Sequence, residues 1–252
     1  LLDALRGFAV FGIFGTNMVA SSMNFEAYNQ PYFSLGKLDA GFSWFVQAFV
    51  EGKFYSMFSL LFGIGFGLQL AKHRDAGIDG LPVFKRRLWG LIIIGLLHMF
   101  LLWIGDILFL YAWLGFVLIG FRHKSDRWLI NATIVCLAIP VLLLPFRFLS
   151  PNLHLGYPFY ALLFGVGKVL GIDLEGFNPV AYFSAPGWGQ YFKANVFGFF
   201  YRQADLFDQA RPFKVFAMFL LGFWASRQGW HKHPEKFVYW IKPYLIWLLP
   251  AA

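Results

Sequence analysis

The sequence predicts an all-α fold, a polytopic transmembrane helical bundle of about seven spans, on three observations. Ala, Val, Ile, Leu, Met, Phe, Trp, Tyr and Cys make up 59% of the 252 residues. That already exceeds the about 45–50% apolar content of an ordinary soluble chain before the 26 glycines are added. Charged residues make up only 13%, about half the usual quarter. Runs such as Leu91-Ile92-Ile93-Ile94-Gly95-Leu96-Leu97 are apolar on every side, whereas a strand of an outer-membrane barrel alternates apolar and polar residues. A soluble globule cannot hide this much apolar surface, and disordered or disulfide-stapled chains need other compositions. Cys136 is the single cysteine and has no partner for a disulfide.

A helix needs roughly 20 apolar residues to cross a hydrocarbon layer of about 30 Å, and about 17 when polar flanks snorkel. In chain order the expected spans are 4–20, 54–71, 88–104, 107–121, 128–149, 212–225 and 237–252. The first follows Asp3 and overlaps Arg6; the second lies between Lys53 and Lys72; the third begins directly after Lys85, Arg86 and Arg87. The fourth is short and is extended by Tyr111 and Trp113, the fifth follows Arg127, and the sixth, also short, precedes Arg227. The last stops inside an apolar run, and no initiator methionine opens the chain. The expectation is one transmembrane domain over 1–252, truncated at both ends.

Lys and Arg collect in cytoplasmic loops. They cluster at 72–87, 122–127 and 227–236, which fall on one side if every span crosses once. The N-terminus is then cytoplasmic, in a bacterial inner membrane, and the formal charge of +8 reports topology and anionic lipid, with no nucleic-acid partner. The stretch 150–211 is broken by Pro151, Pro158, Pro179 and Pro186 yet crowded with aromatic residues. It reads as an external or re-entrant segment packed on protein, although 157–172 alone could form another span.

A charged group at the centre of a spanning helix costs about 2.5–3.5 kcal/mol on insertion scales, so each polar residue in a span asks for a partner or a purpose. Arg6 and Asn17 are 11 residues apart, as are Arg87 and His98. Eleven residues turn a helix through about 1100°, within about 20° of one face, and rise about 16 Å. An anion held at Arg86 and Arg87 could therefore extend a reactive end toward His98 at mid-membrane. Histidine is the usual general base, and arginine's planar fork suits phosphates. The plainer readings are positive-inside flanks for Arg86 and Arg87, a local i,i+3 pair between Asp3 and Arg6, a helix-to-helix hydrogen bond for Asn17, and a structural histidine at 98. Glu51, Lys53 and Asp106 sit at the expected external side. Asp106 can cap the following helix, or the three can form an acceptor mouth in which a carboxylate orients the acceptor or the imidazole of His98. Gly63-Ile64-Gly65-Phe66-Gly67 lacks the strand and Lys-Ser/Thr of a phosphate loop, and its small residues suit close helix approach. The histidines lack the spacing of a helical zinc site, so no metal is expected.

Leu2-Asp3-Ala4-Leu5-Arg6-Gly7-Phe8, Lys53-Phe54-Tyr55-Ser56-Met57-Phe58, Arg86-Arg87-Leu88 running to His98, Gly105-Asp106-Ile107-Leu108, and Arg211-Pro212-Phe213 together resemble the YeiB-like family of bacterial inner-membrane proteins of unknown function. The first helix is also similar to a wider superfamily of membrane acyltransferases. In those that modify surface sugars a histidine follows the arginine at the register held here by Asn17. The heparan-alpha-glucosaminide N-acetyltransferase group has asparagine at that register, but its proposed catalytic histidine precedes the second span, and 23–53 here contains none. His98 is then the remaining internal base.

The functional expectation is an acyltransferase that moves an acyl group from a cytoplasmic acyl-CoA-type donor to an envelope acceptor, with acyl-CoA as substrate and no bound cofactor. Arg86 and Arg87, with Arg6, hold donor phosphates; His98 activates the acceptor or carries the acyl group; Asn17 positions it. The alternative is a transporter or flippase of an envelope metabolite, with the same polar residues lining its pathway. A scaffold for envelope complexes has no positive signal in the sequence.

Overall fold

The computed structural model describes residues 2–22, 41, 44, 52–102, 104–149, 155–172 and 187–230. Among them are eight helices and no strand. They are α1 (Leu2–Ser22), α2 (Lys53–Asp75), α3 (Leu81–Leu101), α4 (Leu108–Gly120), α5 (Asp126–Leu149), α6 (Tyr157–Leu170), α7 (Trp188–Asp208) and α8 (Arg211–Arg227). The chain divides into two compact units, one of Leu1–Gly80 with Met218–Ala252 and one of Leu81–Ala217.

Two described helices, α2 and α5, are long and apolar enough to cross a membrane, where the sequence predicts about seven spans. The difference has physical causes. Helices α4 and α6 have only 13 and 14 residues, about 20 Å of rise at most. Helices α3 and α7 reach 21 residues but carry the run Lys85-Arg86-Arg87 and Lys193, Arg202, Asp205 and Asp208 respectively. The expected span at 237–252 lies outside the described residues.

In the first unit the small residues of α2 let backbones meet. A Cβ added to Gly63 would fall on the backbone of Phe219, one on Gly67 would meet Ser226, and one on Gly222 would meet the Leu60 carbonyl. Phe62 stacks on Phe219 at 4.4 Å and Phe66 lies 4.9 Å from Phe223, flanking that contact. On the other side, Phe54 of α2 fills the space left by Gly12 of α1 and meets Phe8 edge-on at 5.3 Å.

In the second unit α3 and α4 form an antiparallel pair joined by a short turn. Helix α7 packs on α3, and α6 packs on α7 around Leu163, Phe197 and Ile172. The segment 150–211, expected to be irregular, is thus largely helical where it is described. Gly156 makes the junction close: a Cβ there would strike the Ala204 carbonyl, while its N–H donates to Asp208 Oδ1 at 2.9 Å. Large apolar side chains also face outward. On α3 they recur every fourth residue at Trp89, Ile93, Leu97 and Leu101, each at least half exposed, and on α5 Ile134, Val135, Val141 and Leu142 are also more than half exposed.

Candidate functional site

Helix α3 closes its last turn on His98, whose carbonyl accepts the N–H of Leu102 at 2.9 Å. Eight residues after His98, Asp106 stands two positions before the start of α4. Its Oδ2 accepts the N–H of Phe109 at 2.8 Å, capping α4 with a side chain that the positive end of the helix favours. Its Oδ1 lies 3.4 Å from His98 Nδ1. That separation exceeds an ordinary hydrogen bond of about 2.7–3.2 Å, although pairs of this kind are often loose before substrate binds. Capping and orienting the imidazole, alternatives in the sequence, are therefore both open to one carboxylate, one oxygen for each.

Exposure differs across the pair. The Asp106 side chain is 2% exposed and that of His98 34%. Nδ1 is buried, so the exposed surface lies elsewhere on the side chain. An imidazole with Nδ1 turned toward a buried carboxylate has the arrangement an oriented general base requires on that side of the ring. Gly95 makes room for this: a Cβ there would lie 2.7 Å from Phe109 N and 3.0 Å from Asp106 Oδ2.

Burial raises the carboxyl of Asp106 above its ordinary value, and the N–H groups of Phe109 and Leu108, with His98 and Arg202, oppose that rise without cancelling it. The folded protein therefore holds this proton more tightly than the unfolded chain. The resulting stability is fully present below the ordinary carboxylate value of about 3.9 and is lost as pH rises through the raised one. Thermal unfolding of wild type and Asp106→Asn across that window should show the wild type losing stability relative to the variant as pH rises. A constant difference contradicts the assignment.

Helix α7 supports the turn between α3 and α4. Asn195 Nδ2 donates to the Phe100 carbonyl at 3.0 Å, and Tyr191 Oη to the Leu102 carbonyl at 2.6 Å. Ile104 occupies the space at Gly198, and Phe100 stacks on Phe199 at 5.6 Å. Arg202 pairs with Asp205 at 2.9 Å, while Gln209 donates to the other oxygen of Asp205 at 2.7 Å and accepts from Arg211. Ala210, at φ 51°, makes the sharp turn that brings Arg211 back, a left-handed conformation costly for a residue with a Cβ. Sequence reasoning missed Gly95, Tyr191, Asn195 and Arg202. For the last three a signal existed: 191, 195, 198 and 202 follow the 4-3-4 spacing of one helix face.

The other candidates fall in two groups. Arg86 and Arg87 are exposed near the start of α3, on the same unbroken helix as His98. Arg6 and Asn17 belong to α1 in the first unit. Arg6 pairs locally with Asp3 at 2.7 Å, and a Cβ on Gly65 would approach its Nη2 to 2.8 Å; Asn17 is partly exposed. Lys53 begins α2 in that same unit, and Glu51 lies outside the described residues. Asp106 is in the second unit, where its described carboxylate contacts are with His98 and the start of α4. Among the described residues no three His, Cys, Asp or Glu side chains gather as a metal site requires.

The chain is similar to three uncharacterized bacterial proteins. YxaH of Bacillus subtilis is 29% identical over 256 residues, covering 94% of this chain and 60% of YxaH. An uncharacterized 39.9 kDa protein in the amylase 3' region of Bacillus acidopullulyticus is 36% identical over 141 residues, 56% of this chain and 39% of that protein. YeiB of Escherichia coli is 33% identical over 118 residues, 46% of this chain and 29% of YeiB. These relatives support the resemblance to a YeiB-like group of uncharacterized proteins. The chain spans 60% or less of the length of each. No family model matches the chain, and no solved structure does.

Proposed function

We propose that this chain is the catalytic part of a multi-pass inner-membrane acyltransferase, with His98 as general base and Asp106 as the group that orients it. The observation that carries the reading is the 3.4 Å approach of Asp106 Oδ1 to a buried His98 Nδ1 on a side chain that is 34% exposed. An acceptor hydroxyl or amine gives its proton to Nε2 as its oxygen or nitrogen bonds to the thioester carbonyl carbon. The C–S bond then breaks, and the departing thiolate takes the proton back from the imidazolium. Asp106 holds the Nδ1 proton throughout and balances the imidazolium charge. Arg86 and Arg87, on the same helix as His98, hold the donor phosphates, and Asp106 serves the base.

The membrane setting is supported by α2 and α5, by the outward-facing large apolar side chains of α3 and α5, and by the grouping of Lys and Arg into three loops. The N-terminus and these loops are cytoplasmic in this reading, and the lipid bilayer is the first partner.

Purified full-length protein supplied with labelled acetyl-CoA and an envelope extract should bind the donor and pass label to an acceptor. Failure to bind any acyl-CoA sinks the class. Flux of an envelope metabolite into liposomes without donor consumption would favour transport instead, for which a buried carboxylate beside a histidine also suits proton coupling.

A further inference from the structure

We propose that Asn195 and Tyr191 are positioning residues for the His98–Asp106 pair: from α7 they grip the end of α3 and hold the imidazole in the register that turns Nδ1 to the carboxylate. This rests on the role given to His98 above.

The last carbonyls of a helix have no partner within it and need one elsewhere. Helix α3 does not end in a glycine cap; Leu101 and Leu102 follow Phe100 directly. Its terminal turn is instead held by side chains from another helix, through Asn195 to the carbonyl two residues after His98 and Tyr191 to the carbonyl four residues after it. The Leu102 N–H closes back on His98 itself, so both grips act on the turn that carries the base.

Asn195 is fully buried, and its Oδ1 has no hydrogen-bond partner among the described residues. Such an unsatisfied buried acceptor is costly, and a leucine of similar size avoids that cost. What asparagine supplies in return is its donation to Phe100. The same face of α7 carries Gly198, against Ile104, and Arg202, whose charge acts on Asp106. One helix face thus bears on both ends of the turn from His98 to Asp106, and packing of Phe100 on Phe199 keeps that face in register.

The test uses full-length protein with 15N-labelled histidine, the His98 ring signals being assigned by difference from His98→Ala. In wild type the neutral ring should carry its proton on Nδ1, toward Asp106. Asn195→Leu and Tyr191→Phe should each shift it toward the Nε2–H form that free imidazole prefers, lowering the ratio by up to about tenfold, which is about 1.4 kcal/mol. A variant that packs badly without changing the turn leaves this ratio alone, so the spectrum separates positioning from general stability. If Asn195→Leu does not fold, Tyr191→Phe, which loses only a hydroxyl, carries the test. Folded variants that keep the wild-type ratio overturn the positioning role. A wild-type ring already protonated on Nε2 overturns the base–carboxylate pair beneath it.

Discussion

Replacing His98 by alanine should lower acyl transfer from acetyl-CoA by about 10²–10⁴-fold, the range a positioned general base contributes. The fall should appear in kcat, with donor binding little changed, because the proposed phosphate site at Arg86 and Arg87 lies about 16 Å away by helical rise. The substitution is also structurally mild. The side chain is 34% exposed, and Asp106 keeps its N–H donor from Phe109. Transfer that survives the substitution removes His98 from the reaction. Loss of donor binding with kcat intact would move His98 to the donor site.

The second large effect falls on the fold of the first unit. Gly63→Leu should abolish stable assembly of α2 with α8, because its Cβ alone would overlap the backbone of Phe219 and a backbone cannot rotate away as a side chain can. Overpacking of a close contact costs typically 1–3 kcal/mol and more where nothing yields; here Gly222 meets the Leu60 carbonyl from the opposite helix, so relief by sliding is blocked on both sides. The expected result is loss of the monodisperse protein in detergent. Gly90→Ala is the control: nothing lies within 4 Å of that position in α3, and alanine there gains up to about 1 kcal/mol of helix propensity. Equal behaviour of the two variants would contradict the close approach of α2 and α8.

Much of this was legible from residues alone, and what was not has physical reasons. All-apolar runs announce helices because no alternation is available for a half-buried strand. An ionisable ring inside an apolar run makes His98 a candidate without any knowledge of its neighbours. Asp106 is readable as a helix cap from its place before Ile107-Leu108-Phe109, but its second oxygen meets His98 only because Gly95 lets α4 close in, a three-dimensional fact. Helix α7 hides in the sequence because its aromatic residues and the prolines before it suggest irregular backbone, while its register of 191, 195, 198 and 202 shows only when read at helical spacing. Asn195 is a plain polar residue until α3 is seen to end against it. Apolar windows also overstate spans: a run such as 107–121 satisfies composition, yet its helix has 13 residues, too few to cross alone.

The central claim, that His98 and Asp106 act as one unit, is tested most directly by a double-mutant cycle on acyl transfer with His98→Ala, Asp106→Asn and the pair. Groups that work together are strongly non-additive. The double variant should be no slower than His98→Ala alone, because Asp106 has no imidazole left to orient. Losses that multiply across the two positions would show that the histidine and the carboxylate act independently and would contradict the account.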